Sequence, residues 1–229
     1  MPHSHGLDPN DPSGRRAFLG KLAATAAAGA AGLTLTSALD PDVLSAATIG
    51  AGPDAEHWLD NLKAKHKQLV DAYEPNDGWP LGFSHTFLAT QTAADPGNSV
   101  IVLRHMAMPL ALDHSMWARY KIGESFKVTD PATKQPAVKN PFYKPAKGVL
   151  LDDNMSIDRL IARGAMIGAC NVALNVLSGM LAGNAGVSKE AAAKEWTAAL
   201  IPGITLLPSG TWGVNRAQEK GCTYCTGGG

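Results

Sequence analysis

A short apolar run that passes directly into a helical pattern constrains the fold of this chain more than any other feature. In the stretch AMIGACNVALNVLSGML, residues 165–169 are compact and apolar, and Cys170 separates them from apolar residues that recur at helical spacing. Downstream, a helical pattern over 188–200 and the strand-like ITLLP precede a helical pattern over 209–220. Short apolar strands that alternate with helices predict an α/β fold with a doubly wound, mostly parallel sheet and helices on both faces.

The patterns on the amino-terminal side of this region predict further helices and strands. They are an amphipathic helix over 54–73, strands over 83–90 and 100–104, a helix over 109–121 and a short helix over 156–163. Residues 124–154 contain several prolines and show no clear period. Because structureless loops of this length are uncommon inside compact domains, we expect a functional loop or an arm at an interface.

The first residues have the pattern of an export signal. Arg15 and Arg16 precede an uncharged stretch rich in Ala, Gly and Leu, as in a twin-arginine (Tat) signal. The stretch is too short and too mildly hydrophobic to predict a membrane span, although an uncleaved leader would leave an anchor. Small residues that suit cleavage occur at 36–38 and 45–47. We therefore expect a periplasmic or otherwise exported protein that meets the Tat export machinery and works in an oxidising compartment.

Without this leader, the chain is long enough for one hydrophobic core. The full sequence of 229 residues, leader included, is 45% hydrophobic and 17% charged, which suits a single globular domain once the leader is set apart. The predicted organisation is a leader over 1–47, an amphipathic helix and linker over 48–80, and an α/β domain over 81–229.

The charge balance and the motifs disfavour several classes of function. Twenty basic and twenty acidic residues cancel, so no bulk field attracts nucleic acid or an anionic membrane. The sequence has no GxGxxG, GxxxxGK, GxSxG or HExxH motif, so nucleotide binding, serine hydrolysis and zinc proteolysis are not predicted. No cofactor is predicted, and whether the protein is an enzyme stays open.

Cys170 is the first candidate for a functional residue. In an open α/β sheet, ligands and reactive groups gather beyond the carboxyl ends of the strands, where helix N-termini present free amides. A thiol at such a position is favoured as the thiolate, which is a nucleophile. The alternative is that Cys170 packs as a small hydrophobic side chain, as unmodified cysteines often do.

Arg104 and His105 follow the predicted strand over 100–104. They are expected at the same edge of the sheet as Cys170, where either could stabilise a thiolate or bind an anion. Thioether and imidazole groups close to them also suit Cu(I), and these groups are Met106, Met108, His114 and Met116. Methionines at helical spacing are more often core filler, so no metal site is predicted.

Cys222 and Cys225 form a CxxC pair near the end of the chain. In an exported protein such a pair can form a redox-active or structural disulfide, supply half of a metal site or belong to a thiol carrier. If the backbone continues as a strand, the two thiols point to opposite faces; if it turns, they can close. We expect a local disulfide or an exposed pair rather than a catalytic one.

Three segments in register resemble the DsrE/DsrF-like family. They are VIVLRHMAMPLAL, LIARGAMIGACNVAL and LIPGITLLPSGTWGVNRAQEKGCTY, and the resemblance covers residues 83–224. It implies a small doubly wound domain that forms homo-oligomers. Some members carry sulfur as a persulfide on a cysteine, and Cys170 matches that position. The export signal, the long proline-containing loop and the CTYC sequence depart from the family pattern.

Two hypotheses follow, from different classes of function. The first is an exported thiol protein that accepts sulfane sulfur on Cys170 from a donor protein or passes it to an acceptor. Arg104 and His105 would assist electrostatically, and Cys222 and Cys225 could act as resolving thiols. The second is a non-catalytic binding or assembly protein whose contact lies in the loop over 124–154. An exposed Cys170 close to Arg104 or His105 would favour the first hypothesis, and a buried one the second.

Overall fold

A computed structural model of the protein describes residues 55–228, and these residues form a five-stranded sheet whose strands are all parallel. The order across the sheet is β4-β3-β2-β1-β5. The strands are β1 His66–Ala72, β2 Gly97–Leu103, β3 Met166–Cys170, β4 Ile204–Leu207 and β5 Thr223–Thr226. The predicted α/β fold with a doubly wound parallel sheet is confirmed. The leader over 1–47 lies outside the described residues.

Helices connect the strands. The α-helices are α1 Trp79–Ala89, α2 His114–Arg119, α3 Ile122–Ser125, α4 Ile157–Ala162, α5 Asn171–Ala185, α6 Lys189–Ala198 and α7 Gly210–Glu219. The 3₁₀ helices are Asn76–Gly78, His105–Ala111 and Asp153–Met155. Among residues 55–228, no helix is long and apolar enough to cross a membrane. The helices predicted over 156–163, 188–200 and 209–220 are confirmed as α4, α6 and α7.

Successive residues of each strand face opposite sides of the sheet and build two cores. On the first face, Val70 and Ile101 pack against helices of the connections between β1 and β4. On the second face, Leu69 and Val100 pack with Trp58, and α7 crosses this face to place β5 beside β1. Because the chain reverses direction across the sheet after β4, the connections that leave β3 and β4 lie on opposite faces. This arrangement opens a crevice at the carboxyl edge of the sheet, where the strands end.

The predicted amphipathic helix over 54–73 is wrong. Its described part consists of turns up to Asn61 and then of β1, which lies between β2 and β5. The apolar residues at helical spacing belong instead to a central strand with apolar side chains on both faces. Leu69 and Val70 are both buried, one on each face of the sheet. The predicted domain boundary at residue 81 is therefore also wrong, since Trp58 and β1 are parts of the same domain.

The predicted strand over 83–90 is also wrong, because these residues continue α1. The aromatic and β-branched residues in FSHTFLAT resemble a strand, but Pro80 in the first turn and Gly78 as the N-cap start a helix. α1 packs on β1 and β2, where the Ser84 hydroxyl lies 2.7 Å from the Ser99 hydroxyl. The helix predicted over 109–121 is confirmed in part, as a 3₁₀ helix followed by α2.

The segment between α3 and the 3₁₀ helix Asp153–Met155 is called the long loop (residues 126–152), and it contains no helix or strand. The buried amide of Asn140 holds it to the core by donating to the carbonyls of Leu110 and Leu112, at 2.9 and 2.8 Å. Phe142 is buried in the first core. The loop also passes so close to Gly123 that a Cβ there would overlap the backbone of Ala137. The predicted irregular segment is confirmed, and it is anchored by the core.

Candidate functional site

The carboxyl edge of the sheet brings together the residues that follow β1, β2 and β3. Leu103 of β2 pairs with Ala169 of β3, so Arg104 and Cys170 occupy neighbouring positions at the strand ends. Asp71 lies near the end of β1, on the other side of β2. The backbone therefore places the candidate residues at one edge, and the side-chain contacts decide what they can do.

Arg104 is held by Asp71. Its Nε and Nη2 donate to the two carboxylate oxygens of Asp71, at 2.6 and 2.9 Å, and the hydroxyl of Tyr224 donates to the same carboxylate at 2.9 Å. The Asp71 side chain is only 4% exposed, so it needs these partners. The hydrogen bond to Asp71 raises the pKa of Arg104 above its ordinary value. This pairing ties the guanidinium to β1.

His105 stacks on Tyr73, with ring centroids 4.0 Å apart and 10° between the planes. The guanidinium of Arg104 also lies 4.8 Å from the centroid of the Tyr73 ring. Burial lowers the pKa of His105; Glu74 opposes this shift and Arg104 adds to it. His105 is therefore mainly neutral near pH 7, which removes it as a cationic partner of a thiolate.

Cys170 is buried, with 6% of the residue exposed. Its sulfur accepts a hydrogen bond from the backbone N–H of Ala173 at 3.3 Å and so caps the N-terminus of α5. The surrounding residues are apolar members of the first core. Arg104 pairs with Asp71 and His105 stacks on Tyr73, so both side chains expected beside Cys170 have other partners.

Cys222 and Cys225 are both free thiols. The backbone continues into β5 as an extended strand, so the two side chains face opposite sides of the sheet: Cys222 packs in the second core and Cys225 against the first. Burial raises the pKa of Cys222 to about 11, and burial also raises the pKa of Cys225. The local disulfide expected from the CxxC pattern is not formed, because it requires a turn that β5 excludes.

A first cavity of about 430 Å³ lies where α1 begins, just beyond the end of β1. Its walls come from the start of α1 and from the long loop, and they are mostly apolar. The lining residues are Asp77, Gly78, Trp79, Leu81, Thr129, Pro131, Lys134, Phe142, Val149, Leu150, Leu151 and Met155. Gly78 has a φ of +84°, and a Cβ there would overlap the Phe142 ring, so glycine is required at this wall.

A second cavity, of about 280 Å³, lies between α2 and the long loop. Its walls include His114, Asp130, Lys139, Tyr143 and Lys144. No motif or period in the sequence marks Trp79, Lys139 or Lys144. The sequence feature that indicated a site in this region was the length of the loop, which predicted a functional segment.

The copper hypothesis has little support from the packing of its residues. Met108 is fully buried and Met116 is 9% exposed, and both belong to the first core, as the filler interpretation predicts. His114 lines the second cavity. In the described part of the chain, no group of three or more His, Cys, Asp or Glu side chains could hold a metal ion.

Comparison with known proteins identified no relative of this chain. No protein-family model matches the chain, and no match was found among curated proteins or solved structures. The DsrE/DsrF-like family and the export signal therefore stay predictions.

Proposed function

We propose that this protein is a non-catalytic ligand-binding protein whose small ligand occupies the first cavity. The observation that carries the proposal is the mostly apolar wall of this cavity, formed at the carboxyl edge of the sheet by the long loop and the start of α1. Small-molecule sites are typically concave, largely apolar and of this size. The long loop thus acquires the binding role expected of a long ordered segment.

The mouth of the cavity exposes large apolar side chains. Trp79 is 46% exposed and Leu151 is 84% exposed, although both line the cavity. Covering such surface is favourable, by about 25 cal/mol for each Å² of apolar area removed from water. Three polar side chains, Asp77, Thr129 and Lys134, are available to orient a ligand. The expected ligand therefore has an apolar body and few polar groups.

The state of Cys170 also favours a binding protein. A carrier cysteine has to be reached by its donor and its acceptor, whereas Cys170 is 6% exposed and caps α5. The side chains expected to help it have other partners, since Arg104 binds Asp71 and His105 stacks on Tyr73. This environment fits the alternative in which Cys170 packs as a small hydrophobic side chain.

Titration with N-phenyl-1-naphthylamine, a neutral apolar dye whose fluorescence rises in apolar sites, tests this proposal. Saturable binding is expected, and Trp79→Ser and Leu151→Ser should each weaken it by about threefold or more, because each removes apolar contact area. Val138→Ser is the matched control, since Val138 is an exposed apolar residue of the same loop that does not line the cavity. Dye binding that does not saturate would contradict the proposal. So would a Val138→Ser variant that weakens binding as much as Trp79→Ser or Leu151→Ser.

A second candidate function is sulfur transfer on Cys170, and the hydrogen bond from Ala173 to the sulfur favours it. A backbone N–H at the start of a 15-residue helix stabilises negative charge on an acceptor sulfur. In the reaction, the Cys170 thiolate attacks the outer sulfur of a donor persulfide. A new S–S bond forms on Cys170, and the donor leaves as a thiolate. Because Cys170 is buried, this function requires the carboxyl edge to open.

Intact mass measured without reductant tests this candidate. Incubation with a small persulfide donor should add one sulfur atom to the full chain, and Cys170→Ser should remove the adduct while keeping a cap at the start of α5. Cys225→Ser is the control, because Cys225 is the most exposed of the three cysteines. An adduct that persists in Cys170→Ser, or a wild-type Cys170 that gains no sulfur, would reject sulfur transfer.

We also propose that the protein is exported through the Tat pathway and forms homo-oligomers, as its leader pattern and its family resemblance imply. Replacement of Arg15 and Arg16 by Lys should retain the protein in the cytoplasm, whereas Lys21→Arg, the control, should not. The mass of the exported chain will show whether the leader is cleaved or remains as a membrane anchor. Light scattering of the purified protein measures the oligomeric state, and a monomer would contradict that part of the proposal.

A further inference from the structure

We propose that the second cavity is an anion site that binds a phosphate or sulfate group. This inference goes beyond the ligand of the first cavity and does not depend on it. The site would take either inorganic anion or the same group on a larger molecule. The proposal rests on the charged side chains that line a cavity of about 280 Å³ between α2 and the long loop.

Basic side chains outnumber acidic ones in this cavity. Lys139 and Lys144 line it with His114, and Asp130 is the acidic residue of the lining. Lys144 also holds its ammonium group 5.0 Å from the centroid of the Tyr143 ring, which keeps the charge at the wall of the cavity. Two ammonium groups around one concave space favour a small anion.

The carboxylate of Asp130 offsets one of the two lysine charges, so the lining keeps an excess of one positive charge. One oxygen accepts hydrogen bonds from the backbone N–H groups of Ala132 and Thr133, at 2.8 and 3.0 Å. These bonds hold Asp130 in the local turn of the loop. Asn140, also in the lining, is likewise occupied by the carbonyls of Leu110 and Leu112. Lys139 and Lys144 remain as the charged donors for a ligand.

His114 lines the cavity and has a ring nitrogen without a partner in the described part of the chain. Its Nδ1 atom is buried and has no hydrogen-bond partner among the described residues. The ring lies 5.4 Å from the Tyr143 ring, centroid to centroid. A buried polar nitrogen without a partner is unfavourable.

The electrostatics of His114 indicate that both lysines are close to it. Burial lowers the pKa of His114, Lys139 and Lys144 lower it further, and Asp113 opposes them. Asp130 and Tyr143 are the other titratable side chains that line the cavity. A bound dianion would offset the two lysine charges, so it would raise the pKa of His114 and favour the imidazolium. Binding should therefore strengthen as the pH falls.

Titration of the full chain with sodium sulfate, followed by the NMR signals of the histidine rings, tests the site. Sodium chloride at matched ionic strength is the reference, and His114→Gln assigns the His114 signal. Sulfate should shift this signal saturably and raise the midpoint of its pH titration. Lys139→Gln and Lys144→Gln should each weaken sulfate binding by about two- to fivefold, the range expected for loss of one exposed charge pair.

Lys134→Gln is the matched control, because Lys134 belongs to the same loop but lines the first cavity and not the second. It should leave sulfate binding unchanged. A His114 signal that responds to sulfate no more than to chloride would overturn the proposal, and so would an equal loss in the Lys134→Gln variant. Inorganic phosphate added after sulfate should compete for the same site, and failure to compete would restrict the site to sulfate.

Discussion

Asp71 shows how one buried residue organises the carboxyl edge. Its carboxylate, in β1, accepts hydrogen bonds from Arg104, which follows β2, and from Tyr224 in β5. Asp71 therefore connects the ends of three neighbouring strands. A carboxylate that is 4% exposed is stable only with such partners. The same bonds tie the Arg104 guanidinium to β1, so Arg104 has a structural role at this edge.

Removal of Arg104 should destabilise the protein strongly. Arg104→Met leaves the Asp71 carboxylate buried with Tyr224 as its remaining side-chain partner, and we expect the free energy of unfolding to fall by about 3 kcal/mol. Chemical denaturation measures this change. Arg216→Met is the control, because the pair between Arg216 and Glu219 is exposed and its loss should change stability little. Equal effects of the two substitutions would show that the Asp71 pair is not important for stability.

Two histidines should make the protein less stable in acid. Burial lowers the pKa of His105 and of His114 below the ordinary value of 6.5. The unfolded state therefore binds more protons than the folded state in this range, so their contribution to stability is lost as the pH falls through and below that value. The free energy of unfolding should decrease between about pH 7.5 and pH 5.

The slope of the free energy of unfolding against pH identifies the groups that make the protein less stable in acid. His105→Gln and His114→Gln should each flatten this slope, because each removes one group that takes up a proton on unfolding. His57→Gln is the control, since His57 is exposed and pairs with Asp60 within one turn. If both variants keep the wild-type slope, other groups cause the acid sensitivity.

At the scale of elements, the long loop depends on its contact with α3. Gly123 lies in α3, and its missing side chain lets the backbone of Ala137 approach. Ala137 itself pairs with Val128 through a 2.9 Å backbone hydrogen bond. The two cavities use walls from this loop, so close packing at Gly123 supports both proposed sites.

Gly123→Ala should loosen the long loop. The added Cβ overlaps the backbone of Ala137, so the loop has to move, and we expect a loss of about 1–3 kcal/mol of stability with faster proteolysis within residues 126–152. Gly183→Ala is the control, because a Cβ at this exposed helical position meets nothing within 4 Å. It should stabilise α5 by about 0.5–1 kcal/mol. A Gly123→Ala variant as stable as the wild type would contradict the predicted overlap.

At the scale of the whole molecule, β5 closes one edge of the sheet. It pairs with β1, and the backbone N–H of Gly227 donates to the carbonyl of Asp71 at 2.8 Å. Without β5, the edge of β1 would expose unpaired backbone groups, and Asp71 would lose Tyr224. The last strand therefore protects the central part of the sheet and the carboxyl edge together.

Deletion of residues 222–229 should abolish soluble folding. The truncated chain exposes the apolar strand β1 at an edge, which favours aggregation. Size-exclusion chromatography and circular dichroism measure the outcome. A chain that ends at Gly227 is the control, because it keeps β5 and the hydrogen bond to Asp71. A monomeric, folded protein that lacks residues 222–229 would show that β5 is dispensable.

Much of the fold could be predicted because local pattern and final structure agree in the second half of the chain. From α4 to α7, each helix and strand follows its period and its turn residues, as at Gly164 and Gly221, which both have positive φ. In the first half of the chain, the predicted helix over 54–73 was wrong because burial on both faces of the sheet hides the alternation that is typical of a strand. β1 lies between two strands and two layers of helices, so its apolar residues show no strand alternation.

Sequence patterns were enough to predict the α/β class, the strand that ends at Cys170, the irregular long loop and the position of Arg104 at a strand end, because these follow from local periodicity and from the direction of parallel strands. The tertiary structure alone decided the contacts of the candidate site. Arg104 pairs with Asp71, Cys170 is buried as a helix cap, and Cys222 and Cys225 face opposite sides of β5. These outcomes depend on which segments meet across the sheet, and such long-range pairing leaves no periodic trace in the sequence.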